Sequence, residues 1–291
     1  MAFPTRTRRL FRGALLTAAS LACAKASHHP AITLTPTNVE LPGKVVWHDL
    51  VTPDPDGARK FYGAMFGWEF RDAGDKAKHY TVVSLGGRPI AGILDSRGRK
   101  SEKATSQWVG SISVREVDAA VSSVKAGGGS VLWGPKTLGP RGPVALVADR
   151  EHAAFALMRA PGGDPADESP AVNDWVWNEM WTRQPDSAAS FYGRLADYKV
   201  APSDNPNRTY FVLATSGQPR AGIAELKAAE AHPTWLAYVR VANVAASVGR
   251  AESLGAKVLI APSPELRNGT VALIADPSGA MIALQYWEPK P

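Results

Sequence analysis

Hydrophobic and polar positions along this chain change their period at regular intervals. Lys44–Val51 is rich in Val and Trp and reads as a strand. Asp54-Pro55-Asp56 then supplies a helix cap, a first-turn proline and an acidic first turn. Ala58, Phe61, Tyr62, Met65 and Phe66 follow at i, i+3, i+4, i+7 and i+8, the buried stripe of an amphipathic helix. Short strands are predicted around Trp68–Phe70, Tyr80–Leu85 and Pro89–Leu94, with Gly86-Gly87 as a hairpin turn. The order then repeats: a strand at Trp108–Val114, a helix at Val117–Ala126 ended by Gly127, and strands near Ser130–Trp133, Val144–Ala148 and Phe155–Met158.

The whole arrangement recurs farther along the chain. Trp47, Pro55, Asp56, Ala58, Phe61-Tyr62-Gly63, Tyr80, Gly87, Pro89 and Ala91-Gly92-Ile93 return as Trp177, Pro185, Asp186, Ala188, Phe191-Tyr192-Gly193, Tyr210, Gly217, Pro219 and Ala221-Gly222-Ile223. Trp108, Val114, Val117, Gly128, Pro135, Gly142, Val144-Ala145-Leu146 and Asp149 return as Trp235, Val241, Val244, Gly255, Pro262, Gly269, Val271-Ala272-Leu273 and Asp276. Repeats this long are domains and not solenoid units. The chain therefore reads as α+β: four copies of a β-α-β-β-β module, paired into two domains with cupped, antiparallel-rich sheets. The boundaries predicted are a signal segment at 1–26, an extended, proline-bearing leader at 27–42, domain one at 43–160, a Pro/Gly/Asp linker at 161–171 and domain two at 172–289.

Charge changes the picture only at the N-terminus. The chain of 291 residues carries 33 basic and 27 acidic side chains, but Arg6, Arg8, Arg9, Arg12 and Lys25 precede any acid. Without those five, 28 basic residues face 27 acidic ones, so the basic excess is no nucleic-acid footprint. The basic run followed by the short Gly13–Ala22 apolar stretch reads as an export signal, and Thr7–Arg12 resembles a twin-arginine motif. Gly13–Ala22 is too short to span a bilayer. Two processing routes stay open: cleavage after Ala24-Lys25-Ala26, giving a periplasmic or extracellular protein, or a lipid anchor on Cys23 in the imperfect lipobox Leu21-Ala22-Cys23. A basic tail on a cytosolic protein is the remaining alternative. Cys23 is the sole cysteine, which removes disulfides, thiolate metal sites and thiol catalysis from the domains.

The strand, Pro/Asp helix start and Phe-Tyr-Gly at Trp47–Gly63 and Trp177–Gly193, with the turns at Asp149–Ala153 and Asp276–Ala280, resemble the vicinal-oxygen-chelate superfamily of glyoxalases, bleomycin-resistance proteins and extradiol dioxygenases. That resemblance implies a cupped sheet holding a metal through inward His and Glu side chains. Carried over one by one, the ligand positions fall on Trp47 and Trp177, on Val109 and Leu236, on Ala156 and Ala283, and near Ala91–Gly92 and Ala221–Gly222, where no side chain coordinates a transition metal. His48 is the rival ligand, one place from the expected position; strand alternation turns it away from the cup unless a bulge intervenes. His28 and His29 are expected in solvent, and His79, His152 and His232 at strand edges or turns.

The same alternation puts Trp47, Asp49, Val51, Val109, Ser111 and Ser113 inside cup one, and Trp177, Glu179, Trp181, Leu236, Tyr238 and Arg240 inside cup two. Val46, Leu50, Ile112 and Val114 are expected on the helix side. Each cup keeps one acid that needs a partner when buried; Arg240 is the candidate for Glu179. Three classes of function follow. The leading one is a metal-free, cofactor-free binder of a small organic molecule, with Trp47, Asp49, Ser111, Ser113, Trp177, Glu179, Trp181, Tyr238 and Arg240 as ligand-binding residues. The alternatives are a metal-dependent lyase, isomerase or dioxygenase, and a module whose cups are filled by their own tryptophans. A monomer or a homodimer fits each of them.

Overall fold

The computed structural model describes residues 29–73, 80–97, 106–203, 209–228 and 231–288. The segment read as an export signal, with Cys23, and also His28 and His79, lie outside the described residues.

The predicted order is present twice. Domain one runs β1 (Val45–Thr52), α1 (Pro55–Phe66), β2 (Glu69–Ala73), β3 (Tyr80–Leu85), β4 (Arg88–Asp95), β5 (Gln107–Ser113), α2 (Val117–Ala126), β6 (Ser130–Thr137), β7 (Pro143–Ala148) and β8 (Ala154–Met158). Domain two repeats it as β9 (Trp175–Thr182), α3 (Pro185–Tyr192), β10 (Lys199–Pro202), β11 (Tyr210–Thr215), β12 (Gln218–Glu225), β13 (Thr234–Arg240), α4 (Val244–Ser253), β14 (Lys257–Ile260), β15 (Val271–Ala275) and β16 (Met281–Gln285). Local chemistry sets several boundaries. Asp54 Oδ1 accepts the Gly57 N–H at 2.9 Å, with Pro55 next in the chain, and Gly67 closes α1 in the left-handed region at φ 70°. Gly86 and Gly87, at φ 56° and 76°, make the tight turn between β3 and β4 that the sequence predicts.

Each domain is one eight-stranded sheet, ordered β2-β3-β4-β1-β5-β8-β7-β6 and β10-β11-β12-β9-β13-β16-β15-β14. The two modules of a domain meet where β1 pairs antiparallel with β5, and β9 with β13; each first strand also runs parallel to the last strand of its own module. One face of each sheet carries the helices and meets the other domain. Residues of α2, β7 and β8 share a buried cluster with Phe191, Tyr192 and Ile223, while residues of α1 and β4 share one with Val244, Val248, Ile274 and Ile282. So each hydrophobic core is completed by the opposite domain. The Phe-Tyr-Gly tyrosines stitch it together. Tyr62 Oη accepts from Trp108 Nε1 at 2.8 Å and donates to Asp276 Oδ2 at 2.9 Å; Tyr192 Oη accepts from Trp235 Nε1 at 3.0 Å and donates to Asp149 Oδ2 at 2.8 Å. Asp149 and Asp276 in turn accept backbone N–H groups in their own turns, at Glu151 and Ala153 and at Ser278 and Ala280. All four polar side chains are thereby satisfied in a buried interface.

A bulge departs from simple alternation. Val45 pairs with Ile112 but Trp47 with Ser111, so β1 carries one extra residue there; β9 does the same between Trp175 and Trp177. Val46 and Trp47 both enter the cup, as do Val176 and Trp177, while Val45 and Trp175 pack on the helix side. The expectation that Val46 faces the helices is corrected accordingly. The bulge lies before Trp47, so His48 keeps its outward direction.

The leader and linker are pinned to each other. Thr37 N donates to Gly162 O at 2.8 Å, Asp164 N to Val39 O at 2.8 Å, and Leu41 N to Asp164 Oδ2 at 2.7 Å. No helix among the described residues is long and apolar enough to cross a membrane.

Candidate functional site

The faces turned away from the domain joint form two cups, and each holds a polar cluster built on one acid, an arginine, tyrosine and tryptophan. In cup one, Trp47 Nε1 and Tyr80 Oη donate to Asp49 Oδ1 at 3.1 and 2.6 Å, Arg141 Nη1 donates to Tyr80 Oη at 2.7 Å, and the Arg141 guanidinium stands 4.6 Å from the centre of the Trp47 ring. In cup two, Glu179 accepts from Tyr210 Oη at 2.8 Å and Trp181 Nε1 at 3.1 Å, and also from Tyr238 Oη and from the Arg267 guanidinium. Trp177 Nε1 donates to Tyr210 Oη at 3.1 Å. Both arginines come from the short 3-10 turn ahead of β7 or β15, at Gly139–Arg141 and Arg267–Gly269.

A glycine in the neighbouring strand makes room for each tyrosine–acid contact. A Cβ on Gly92 would stand 1.9 Å from Tyr80 Oη and 2.5 Å from Asp49 Oδ1; one on Gly222 would stand 1.9 Å from Tyr210 Oη. These glycines sit where the resemblance expects a fourth-strand metal ligand. A phenol hydroxyl occupies the adjoining space.

The acids differ in environment. Glu179 is fully buried. Burial alone pushes its carboxyl up, but the Arg267 charge and the Tyr238, Tyr210 and Trp181 donors outweigh it and hold the group below the usual carboxylate range. Burial, and then the Glu179 charge, raise the Tyr210 and Tyr238 phenols, which stay protonated as donors. Asp49 is a quarter exposed and meets Arg141 only at 3.7 Å.

Several expected residues stand where the alternation places them. Trp47, Val51, Val109, Trp177, Trp181, Leu236 and Tyr238 belong to the cup clusters, and Ser111 is buried opposite Trp47. Ser113 and Arg240 do not join the polar clusters. Ser113 Oγ donates to Asp164 Oδ2 at 2.6 Å, and Arg240 donates to Pro170 O at 2.6 Å and Trp287 O at 3.0 Å, so both strand ends bind linker or tail. Arg267, not Arg240, is the partner of Glu179. Sequence reasoning missed Tyr80, Tyr210, Arg141 and Arg267. The two tyrosines recur in the repeat and carried a usable signal. The arginines carried none, because Arg141 aligns with Asn268 and the second arginine is displaced by one residue.

The histidines settle differently. His48 is buried on the joint face, its Nε2 2.8 Å from Asn178 Oδ1 and its ring stacked 4.1 Å from Trp175. Burial lowers its pKa to about 4 against the opposing effects of Asn178 and Asp49. His152 and His232 are exposed, as expected. His29 is not in solvent: its ring sits 4.4 Å from the Tyr80 ring inside cup one, and burial, reinforced by Arg141, lowers its pKa to about 4.

A metal does not fit this donor set. Each cup offers one carboxylate, already faced by a guanidinium; His48, beside the expected ligand position, points away, and the imidazole that does enter cup one, His29, adds only a second donor there. Among the described residues no three His, Cys, Asp or Glu side chains converge to hold an ion. Cup two keeps a cavity of about 20 Å³ beside Trp181, Tyr238, Leu266 and Arg267.

Comparison with known proteins agrees with this architecture. Residues 44–157 match the family model for the Glyoxalase/Bleomycin resistance protein/Dioxygenase superfamily, and residues 175–284 the one for the Glyoxalase-like domain. The chain is 28% identical over 245 residues to "Putative glyoxylase CFP32" of Mycobacterium bovis, covering 82% of this chain and 92% of that protein. It is 29% identical over 254 residues to the "Anthracycline biosynthesis protein DauV" of a Streptomyces species, covering 82% and 91%. Among solved structures, the Mn(II)-bound glyoxalase from Novosphingobium aromaticivorans superposes with a TM-score of 0.58 at 15% identity, over 84% of this chain and 82% of that one. The 2,2',3-trihydroxybiphenyl 1,2-dioxygenase from Sphingomonas wittichii gives 0.59 at 14%, over 85% and 91%. At such identities the structural likeness speaks for the fold alone. The chain belongs to the vicinal-oxygen-chelate superfamily, as a two-domain, glyoxalase-like member.

Proposed function

We propose that this protein is a metal-independent, exported binder of a small organic molecule, and that cup two is its binding site. One observation carries the reading: the cavity in cup two is walled by Trp181, Tyr238 and aliphatic side chains and edged by Arg267, whose charge is balanced by a buried carboxylate behind it. Aromatic walls with few, fixed polar groups suit recognition of a planar or hydroxylated molecule. The space as it stands holds about one water molecule. A larger guest enters by swinging the Leu266–Thr270 turn outward. That turn is poised to move, because Arg267 and Asn268 sit at φ 49° and 55°, a left-handed pair without glycine that the Glu179 contact helps to hold.

The name of the Streptomyces relative supports an anthracycline-like guest, and the basic, acid-free N-terminus supports export. Native mass spectrometry of purified protein tests the binding reading: a small organic mass is expected at one per chain, and Arg267→Ala releases it. The alternative, a metal-dependent lyase, isomerase or dioxygenase, is supported by the match of residues 44–157 to a family model that takes in glyoxalases and dioxygenases. Stoichiometric manganese, iron, nickel or zinc in the purified protein would decide for that alternative. Isomerisation of the methylglyoxal–glutathione adduct is expected to be no faster than with heat-killed protein. Fractionation of the producing cell is expected to place the chain outside the cytoplasm.

A further inference from the structure

Cup one differs from cup two in having an occupant. Ile32, in the leader, is buried within the cluster of Trp47, Tyr80, Val109 and Met158. The His29 ring lies edge-on to Tyr80 at 4.4 Å, and Pro30 O faces Arg141 Nε at 3.4 Å, long for a hydrogen bond. The fit is incomplete. Arg141 is 3% exposed, yet its Nη2 has no hydrogen-bond partner, nor does the buried Nδ1 of His29. An unsatisfied buried donor on a guanidinium is a standing cost that a better acceptor removes. Arg267, its counterpart in cup two, is paired with the buried Glu179.

We propose that cup one is a second ligand site, held shut by the chain's own His29–Ile32 segment, and that it takes a planar ring bearing a carbonyl oxygen, the pieces His29 and Pro30 now supply. A guest of this class places its ring edge-on to Tyr80, where the His29 ring now lies, and its oxygen against Arg141 Nη2. The leader then leaves, and the apparent affinity is lowered by the fraction of time the segment spends in place. Because Thr37 and Val39 stay bonded to Gly162 and Asp164, only the stretch before them has to move.

The test uses the full chain and 2-acetonaphthone, a neutral aryl ketone, in equilibrium dialysis. Ile32→Asp, which disfavours the seated segment, is expected to bind the ketone at least tenfold tighter than the unaltered chain. Adding Arg141→Gln is expected to abolish that gain. Equal binding by the unaltered chain and Ile32→Asp, or a gain that survives Arg141→Gln, would overturn the proposal. Should Ile32→Asp lose its circular dichroism, His29→Gly vacates the ring position alone and must give the same order of affinities. The gain depends on Arg141 and not on Arg267, so failure here leaves the reading of cup two to its own test.

Discussion

The two acids offer a direct measure of how burial converts a hydrogen-bond set into stability. Glu179 is fully buried and accepts from four side chains, so Glu179→Gln leaves the Arg267 charge without a counter-ion in a mostly enclosed place. Losing one partner of such a pair costs roughly 3 kcal/mol, less here because Arg267 is a quarter exposed. Asp49→Asn breaks a 3.7 Å pair at a partly wet site and is expected to cost under about 1 kcal/mol. Urea midpoints of the two variants, measured side by side, check the ranking; equal losses would contradict it. Gly222→Ala drives a methyl into the Tyr210 hydroxyl, and displacing a fixed ring from its place costs about 1–3 kcal/mol. The cup-two guest of the native mass experiment is expected to be lost with it. None of this was legible from residue types alone. Strand alternation located Asp49 and Glu179, but it could not say which arginine reaches them, since Arg141 and Arg267 arrive from turns far along the chain.

At the scale of elements, β1 and β9 each serve two masters. Their cup faces carry the tryptophans and acids, and their opposite faces meet at the joint, where His48 stands against Asn178 and Trp175. His48 is neutral there, with a pKa of about 4 against 6.5 for a free imidazole. The unfolded chain therefore takes up a proton below about pH 6.5 that the folded chain refuses until about pH 4. Stability is full above that window and falls as pH drops through it, by on the order of 3 kcal/mol for a shift of this size. His29 adds to the slope in the same direction, since its pKa also lies at about 4. Unfolding free energies measured between pH 7 and 4 are expected to show a shallower decline for His48→Gln than for the unaltered chain; parallel curves would refute the assignment. The order and type of the elements were readable because the helical stripe of Ala58–Phe66 contrasts with short apolar runs ended by turn glycines, such as Tyr80–Leu85 before Gly86-Gly87. The bulges at Val46 and Val176 were not, because an extra residue in one strand shows only when its partner strand is alongside.

For the whole molecule, the shared cores mean that neither domain owns its interior. Phe61 and Tyr62 pack with Val244 and Ile282, and Phe155 with Phe191 and Trp235. Calorimetry is expected to show one cooperative transition for the chain, with calorimetric and van't Hoff enthalpies in agreement. Residues 172–289 produced alone are expected to lack a sharp transition and to aggregate, because their half of each core would face water. Two resolved transitions in the full chain would argue against this. The duplication was plain in the sequence, yet the same repeats would have suited two beads on a string. The paired Tyr62–Asp276 and Tyr192–Asp149 contacts reveal the joint only once both copies are placed.

The separation of joint from cup has an evolutionary reach. A mutation on the concave side of one sheet leaves the mating side untouched, so each copy is free to drift chemically without loosening its sibling. An ancestral pair of identical sites could in this way have come apart, one keeping a buried glutamate under a hinged arginine and the other acquiring a stopper from its own chain.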